Sequence, residues 1–153
     1  MIEIQTATAA DIPEVQELFK EYAAWTGVDL SFQNFSRELE ELPGDYMEPR
    51  GVLLVARGEG RLAGCVAAHA WEEGVCEMKR LFVRDEFRGS GCGRALIDAL
   101  ITWARRAGYG RMLLDTLPVM DRAQALYARL GFVDVPPYRE NPVKGARFLS
   151  LTL

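Results

Sequence analysis

The sequence predicts an α/β protein of the α+β type, with a mixed, largely antiparallel central sheet and helices on both of its faces. Three apolar runs of strand length follow one another through glycine turns, and amphipathic helical patterns stand before and after them. Hydrophobic residues make up 49% of the 153 residues, which is enough for one core. Because no linker, repeat or low-complexity tract divides the chain, we expect residues 1–153 to form a single domain.

The chain before residue 52 predicts one short strand and two helices. Residues 2–6 have extended character, and Asp11 can cap a helix that Gly27 interrupts. A second helix is expected from a cap near Ser31 to Pro43-Gly44. Both helices carry apolar residues at spacings of three and four: Ile12, Val15, Leu18, Phe19, Tyr22 and Trp25 in the first, and Phe32, Phe35, Leu39 and Leu42 in the second.

The rest of the chain predicts an antiparallel meander of three strands, followed by alternating helices and strands. These elements are, in chain order, strands at 52–56, 62–70 and 75–83, a helix that Gly108 ends, a strand at 111–115, a helix that Gly131 ends, and closing strands at 132–135 and 146–153. Tight turns at Gly58-Glu59-Gly60 and Glu72-Glu73-Gly74 join the three strands of the meander.

Composition and residue counts exclude several classes of function. The formal net charge of −4 argues against a nucleic-acid partner, because such binding needs clustered positive charge. No run of 18 apolar residues and no basic, apolar leader occurs, so we expect neither a membrane partner nor secretion. The three cysteines form no C-x-x-C pair and His69 is the only histidine, so we expect a reduced, cytoplasmic protein without a metal site.

The most informative stretch is the glycine loop, Arg88-Gly89-Ser90-Gly91-Cys92-Gly93-Arg94, between a strand and a helix. Glycines let a ligand approach the backbone, and a helix N-terminus offers unpaired N–H groups, so this loop predicts a phosphate site. We expect Arg84, Arg88 and Arg94 to supply positive charge there, and Asp85 and Glu86 to point away. The NTPase loop is absent because no Gly-Lys pair occurs, and the dinucleotide pattern fails because Arg94 stands where its third glycine belongs.

The loop resembles the signature of the GNAT superfamily of acyl-CoA-dependent N-acyltransferases, Arg/Gln-x-x-Gly-x-Gly/Ala, through Arg88, Gly91 and Gly93. The strand C-E-M-K-R-L-F-V before it and the helix A-L-Y-A-R-L-G-F after it are also similar to that family, as is the order of the elements. The resemblance implies the GNAT fold and acetyl-CoA as co-substrate. It also implies a set of residues that hold the pyrophosphate of the coenzyme: Arg88, Gly89, Ser90, Gly91, Cys92, Gly93 and Arg94.

Two further roles follow from the resemblance. Leu81, Phe82 and Val83 are expected to pair through their main chain with the pantetheine arm, and one of their N–H groups would polarise the thioester carbonyl. Tyr127 is expected to act as the general acid for the departing thiolate, although it could instead pack in the core or only orient the sulfur. The family often has Asn at the start of the last helix, where this chain has Met120, so coenzyme contacts from that helix are left open.

Glu77 is the candidate general base for the incoming amine, because many members of the family have a glutamate on this strand. With a period of two it shares a sheet face with Lys79, Leu81 and Val83, unless a bulge shifts the register. A salt bridge with Lys79 or Arg80 is the competing interpretation. His69 could also serve as a base, and Cys92 as a nucleophile, although each is expected more often to be structural.

The expected partner is a primary amine of a small molecule or peptide, which would attack acetyl-CoA directly in a ternary complex. Tyr138 and Trp25 are the candidate acceptor-binding residues. Residues 1–75 hold 14 acidic and 5 basic residues, a net −9, which favours a small cationic amine. A homodimer is compatible with the family. Two alternatives stay open: a non-catalytic acyl-CoA-binding regulatory domain, and a Rossmann-type nucleotide domain, which the predicted hairpins contradict.

Overall fold

A computed structural model describes residues 1–153 and places seven strands in one mixed sheet. The strands are β1 (Glu3–Thr6), β2 (Val52–Gly58), β3 (Arg61–Glu72), β4 (Val75–Val83), β5 (Arg111–Thr116), β6 (Val133–Asp134) and β7 (Arg147–Thr152). Their order across the sheet is β1-β2-β3-β4-β5-β7-β6, and β4 and β5 are the one parallel pair. This confirms the predicted fold class and the meander of β2, β3 and β4.

Four helices cover the two faces of the sheet: α1 (Ile12–Thr26), α2 (Phe35–Glu41), α3 (Cys92–Arg106) and α4 (Asp121–Leu130). The apolar side chains of α1 pack with one face of β2 and β3, in a core that includes Phe19 and Leu53. Those of α3 and α4 pack with the opposite face, in a core that includes Leu100 and Tyr127. One continuous sheet with a core on each face is the arrangement expected of a single domain.

The helices before β2 differ in part from the prediction. Helix α1 ends as predicted, with Gly27 in the left-handed conformation at φ 67°. The second predicted helix is interrupted, because Asn34 adopts φ 55° between a short 3₁₀ turn at Leu30–Gln33 and α2. Asparagine tolerates this conformation better than most residues, so one amphipathic pattern gives two short elements instead of one helix.

Strands β4 and β5 pair over only three residues and then part. Their register runs from Val75 opposite Arg111 to Glu77 opposite Leu113, and no pairing follows. The remainder of β4, residues 78–83, therefore has no strand neighbour on its β5 side. Main-chain groups on such an unpaired edge are available to a ligand.

A β-bulge at Arg80 changes which residues of β4 share a face. Arg80 has φ 62°, and the pairing with β3 shifts between Ala67 opposite Lys79 and Cys65 opposite Phe82. The extra residue moves all later side chains to the other side of the sheet. The expectation that Glu77 and Lys79 share a face with Leu81 and Val83 is therefore wrong. Leu81 and Val83 instead pack with the core beneath α3.

Candidate active site

The glycine loop opens a groove with a volume of about 690 Å³, which we call the loop groove. It lies between β4 at Leu81–Val83, the glycine loop and the outer side of α4. Gly89 and Gly91 have φ of 81° and 84°, and no atom lies within 4 Å of where their Cβ atoms would stand. The first intrahelical hydrogen bond of α3 runs from the N–H of Ala95 to the carbonyl of Gly91, at 3.0 Å. The N–H groups of the three residues between them are therefore available to an anion.

Four arginines line this groove, Arg88 and Arg94 beside the glycine loop and Arg122 and Arg129 on α4. The Cζ atom of Arg88 lies 5.1 Å from the ring centre of Trp25 and 5.7 Å from that of Phe82. Nη1 of Arg88 lies 2.6 Å from Asp85. Arg94 pairs with Asp98 one turn along α3, and both side chains are about half exposed. These pairs fix the guanidinium groups at the surface without burying them.

The structure corrects one expectation about charge at the loop. Arg84 faces away from the groove, because its guanidinium pairs with Glu14 at 3.0 Å and Glu21 at 2.9 Å on α1. Asp85 pairs with Arg88 but is not among the residues that line the groove. The positive charge at the groove therefore comes from Arg88, Arg94, Arg122 and Arg129 together with the N-terminus of α3.

A second space, the interstrand cavity, lies where β4 and β5 part. Its polar lining residues are Tyr22, Gln33, Lys79, Arg80, Asp115, Tyr127 and Asn141. Leu81 and Met120 line both this cavity and the loop groove, so the two spaces adjoin. Met78 and Leu114 belong to the core on the α3 side. Their neighbours Lys79 and Asp115 therefore face the α1 side, because side chains alternate along a strand.

Tyr127 reaches this junction from α4. Its ring packs in the core on the α3 side, 5.4 Å from that of Phe132, and it lines the interstrand cavity. Burial raises the pKa of Tyr127 above the ordinary value of a phenol. The hydroxyl is therefore protonated at neutral pH and is a hydrogen-bond donor.

Glu77 lies at the centre of a buried hydrogen-bond network and has no exposed surface. Its Oε1 contacts His69 Nε2 at 2.8 Å and accepts from Arg139 Nη2 at 3.0 Å. Its Oε2 accepts from the Tyr138 hydroxyl at 2.6 Å. Burial alone would raise the pKa of Glu77, but these donors and the charges of Lys79 and Arg139 outweigh it and lower the pKa to about 2. A carboxylate held in this way is a weak proton acceptor at neutral pH.

The candidate acceptor residues lie outside the interstrand cavity. Trp25 lines the loop groove, where it packs against Arg88. Tyr138 lies between Trp71 and Phe148, at centroid distances of 5.1 and 5.6 Å, with its hydroxyl on Glu77. An acceptor role for Trp25 or Tyr138 stays a prediction.

Cys92 and His69, considered above as a nucleophile and as a base, have surroundings that do not favour these roles. The Cys92 side chain is buried, and burial raises the pKa of its thiol to about 11, which does not suit a nucleophile. His69 contacts Glu77 and the ring of Tyr46, and it is not among the residues that line the interstrand cavity. In both cases the expectation of a structural residue fits the contacts better than a role in proton or acyl transfer.

Sequence reasoning missed five polar residues of the interstrand cavity: Gln33, Lys79, Arg80, Asp115 and Asn141. The side chains of Lys79 and Asp115 are buried, at 6% and 7% exposure. Charged residues inside otherwise apolar strands are rare, so both were detectable as anomalies in C-E-M-K-R-L-F-V and R-M-L-L-D. The sequence could not show that Lys79 and Asp115 lie close to each other, because this depends on how far β5 diverges from β4.

Comparison with known proteins assigns the chain to a family. A family model described as the acetyltransferase (GNAT) family matches residues 12–132. An uncharacterized N-acetyltransferase of Schizosaccharomyces pombe is 40% identical over 145 residues, which cover 94% of this chain and 89% of that protein. The chain therefore belongs to the GNAT family of acetyltransferases, as the resemblance implied.

Solved structures agree with this assignment at the level of fold. A GNAT-family acetyltransferase from Staphylococcus aureus has a TM-score of 0.82 over 99% of both chains, at 19% identity. A Salmonella typhimurium structure solved with its cofactor acetyl-CoA has a TM-score of 0.70, at 22% identity, over 99% of this chain and 93% of its own. Membership of the family identifies the protein as an acetyl-CoA-dependent acetyltransferase. None of its helices combines the length and hydropathy that crossing a bilayer requires.

Proposed function

We propose that the protein transfers the acetyl group of acetyl-CoA to a primary amine by direct attack in a ternary complex. The loop groove and the interstrand cavity adjoin at Leu81 and Met120, and this is the observation that carries the proposal. A coenzyme in the groove and an amine in the cavity would meet beside Leu81 and Tyr127. Holding both reactants in contact supplies much of the rate enhancement of such a reaction.

The glycine loop would hold the pyrophosphate of the coenzyme. The main-chain N–H groups at Cys92–Arg94 and the guanidinium of Arg88 offer donors to its oxygens, and Gly89, Ser90 and Gly91 allow it to approach. Leu81, Phe82 and Val83 would bind the pantetheine arm through the edge of β4 that β5 leaves unpaired. A main-chain N–H on this edge would stabilise negative charge on the thioester oxygen.

Tyr127 is the proposed general acid. As the nitrogen lone pair forms the C–N bond and the C–S bond breaks, the amine loses one proton and the sulfur gains one. A protonated phenol at the junction of the two spaces can donate to the sulfur as its charge develops.

Glu77 is proposed to position other groups and not to accept the proton of the amine. Its low pKa and its three donors support this role. Through Oε1 and Oε2 it fixes His69, Arg139 and Tyr138 behind the interstrand cavity. The amine is then expected to release its proton to solvent, either before or during attack.

All three cysteines are free and buried, which supports a reducing, cytoplasmic location. That no metal, nucleic acid or membrane takes part, and that the protein forms a homodimer, stay predictions.

Thiol release from acetyl-CoA in the presence of a panel of primary amines tests the proposed function. We expect release that depends on the amine and saturates with both substrates, and a binary calorimetric titration that shows coenzyme binding. Coenzyme binding without turnover on any amine would favour the alternative, an acyl-CoA-binding regulatory domain. No binding at all would contradict the assignment of the groove.

A further inference from the structure

The side chain of Lys79 is nearly completely buried, yet it has no hydrogen-bond partner in the protein. It is 6% exposed and lines the interstrand cavity with Tyr127. Its nearest charged neighbour is Asp115, whose Oδ1 lies 3.7 Å from Nζ, beyond hydrogen-bond distance. A mostly buried ammonium whose one ion pair, with Asp115, is too long for a hydrogen bond would be stabilised by an anionic or polar partner in the cavity.

Other charged groups near the cavity are already neutralised. The guanidinium of Arg80 forms a two-point pair with Glu38, at 2.8 and 2.9 Å, and donates to Gln33 at 2.6 Å. Glu77 is held by Arg139. Lys79 and Asp115 are therefore the two charged side chains of the cavity that remain available. A bound molecule can contact them without breaking a hydrogen bond between charged side chains.

Asp115 is itself fixed in place but keeps one oxygen available. Its Oδ2 accepts from Asn141 Nδ2 at 3.0 Å, while Oδ1 faces Lys79 across the 3.7 Å gap. The cavity thus presents one positive and one negative group side by side. Two opposite charges at this spacing are complementary to a ligand that carries an ammonium and a carboxylate on the same carbon.

We propose that the acceptor of this enzyme is an α-amino acid, with its carboxylate bound by Lys79 and its amino group directed by Asp115. This inference rests on the proposed function and specifies its substrate class. The cavity measures about 30 Å³, room for one or two water molecules, so only the carboxylate of the amino acid would enter it, and the rest of the molecule would extend beyond it. The amino group would then lie between Asp115 and the junction at Tyr127.

The proposal replaces the expectation of a purely cationic amine. The acidic residues of the first half do not form an open negative surface at the cavity, because several neutralise arginines of the sheet. These pairs are Asp11 with Arg57, Glu14 and Glu21 with Arg84, and Glu38 with Arg80. Burial lowers the pKa of Lys79 against the opposing effect of Asp115, and a bound carboxylate would offset this cost.

Matched pairs of acceptors test the proposal in the wild-type protein. Each pair differs only by the carboxylate: phenylalanine and phenethylamine, histidine and histamine, lysine and cadaverine. We expect kcat/KM to be about tenfold or more higher for the amino acid of at least one pair, as one charged hydrogen bond can provide. Calorimetry in saturating CoA, where no transfer occurs, should show the same preference in Kd. Equal or better turnover and binding of every decarboxylated amine would overturn the proposal.

Two lysine variants assign the effect to a residue. Lys79→Met should raise KM for the preferred amino acid about tenfold or more and bring the ratio within each pair close to one. Lys20→Met removes the same charge from an exposed site on α1 and should leave the ratio unchanged. A Lys79→Met protein that keeps the wild-type ratio contradicts the assignment. If that variant does not fold, the wild-type pairs still decide the substrate class.

The outcomes separate this inference from the proposed function. Turnover of decarboxylated amines alone would refute the amino-acid acceptor and leave the acetyltransferase intact. Binding of amino acids that depends on Lys79, without turnover on any acceptor, would refute the proposed function and retain the carboxylate site.

Discussion

The loop groove and the interstrand cavity adjoin each other but are built in different ways. The groove offers main-chain groups from one stretch, residues 81–94, opposite side chains of residues 119–129, and the arginines beside the loop remain partly exposed. The cavity is made of side chains from separate segments, among them Lys79, Asp115, Tyr127 and Asn141. A site built from main chain suits a ligand that many enzymes share, whereas a site built from side chains can change with the substrate.

The charged groups of the two regions also differ in their exposure to water. Charges at the groove lie near water, so their pairs contribute little to stability and are screened by salt. Charges behind and within the cavity are buried, and each removal leaves a partner unsatisfied. Changes in the groove should therefore affect coenzyme binding with little loss of stability, and changes near the cavity should affect both catalysis and folding.

The largest expected effect is loss of coenzyme binding in Gly91→Trp. The new side chain would point into the groove, where no atom now lies within 4 Å of the Cβ position. Calorimetry should show no heat with CoA while circular dichroism shows a folded protein. Gly60→Trp is the matched control, because Gly60 has a similar φ of 78° and open space but lies in the β2–β3 turn. Equal loss of binding in both variants would show that backbone strain, and not blockage of the groove, is responsible.

Tyr127→Phe tests the junction of the two regions. Removal of the hydroxyl should lower kcat by about 10²–10⁴ if it acts as general acid, with little change in coenzyme affinity. Tyr109→Phe is the control, since the Tyr109 hydroxyl donates to the carbonyl of Arg50, away from both spaces. If kcat is unchanged in Tyr127→Phe, the hydroxyl is not the general acid and Tyr127 has only a packing role.

The smallest effect is the pH dependence of stability that Glu77 introduces. Because folding lowers its pKa from an ordinary 4.5 to about 2, ionised Glu77 stabilises the folded state above about pH 4.5. This contribution is lost as the pH falls from about 4.5 to about 2. Glu77→Gln should cost roughly 1.5–3 kcal/mol at pH 7, the range for hydrogen bonds to a charged group.

Urea unfolding of both proteins at pH 7 and pH 3 measures this difference. The gap between wild type and Glu77→Gln should be smaller at pH 3, because the wild type has lost part of the contribution there. A gap of the same size at both pH values would mean that the ionised carboxylate is not the stabilising form. The variant should also keep measurable transfer activity, since Glu77 is proposed to position other groups and not to accept a proton.

Local sequence features were sufficient to predict the groove. Gly89, Gly91 and the strand before them are contiguous, so the order strand, glycine loop, helix implies an anion site without knowledge of distant contacts. The hydrogen-bond network around Glu77 could not be predicted from the sequence, because His69, Tyr138 and Arg139 come from another strand and a late loop. The face shared by Glu77 and Leu81 was predicted wrongly, since the bulge at Arg80 carries no glycine or proline signal in the sequence.

Sequence alone therefore determined the fold class and the family, and it predicted the glycine loop as the coenzyme site. Each of these depends on periodicity and short-range spacing, which the chain displays directly. Only the tertiary structure decided that β5 leaves β4 after Glu77, that the bulge turns Leu81 toward α3, and that Lys79 faces Asp115. These features arise from packing between segments far apart in the chain, where small shifts in strand register decide which side chains meet.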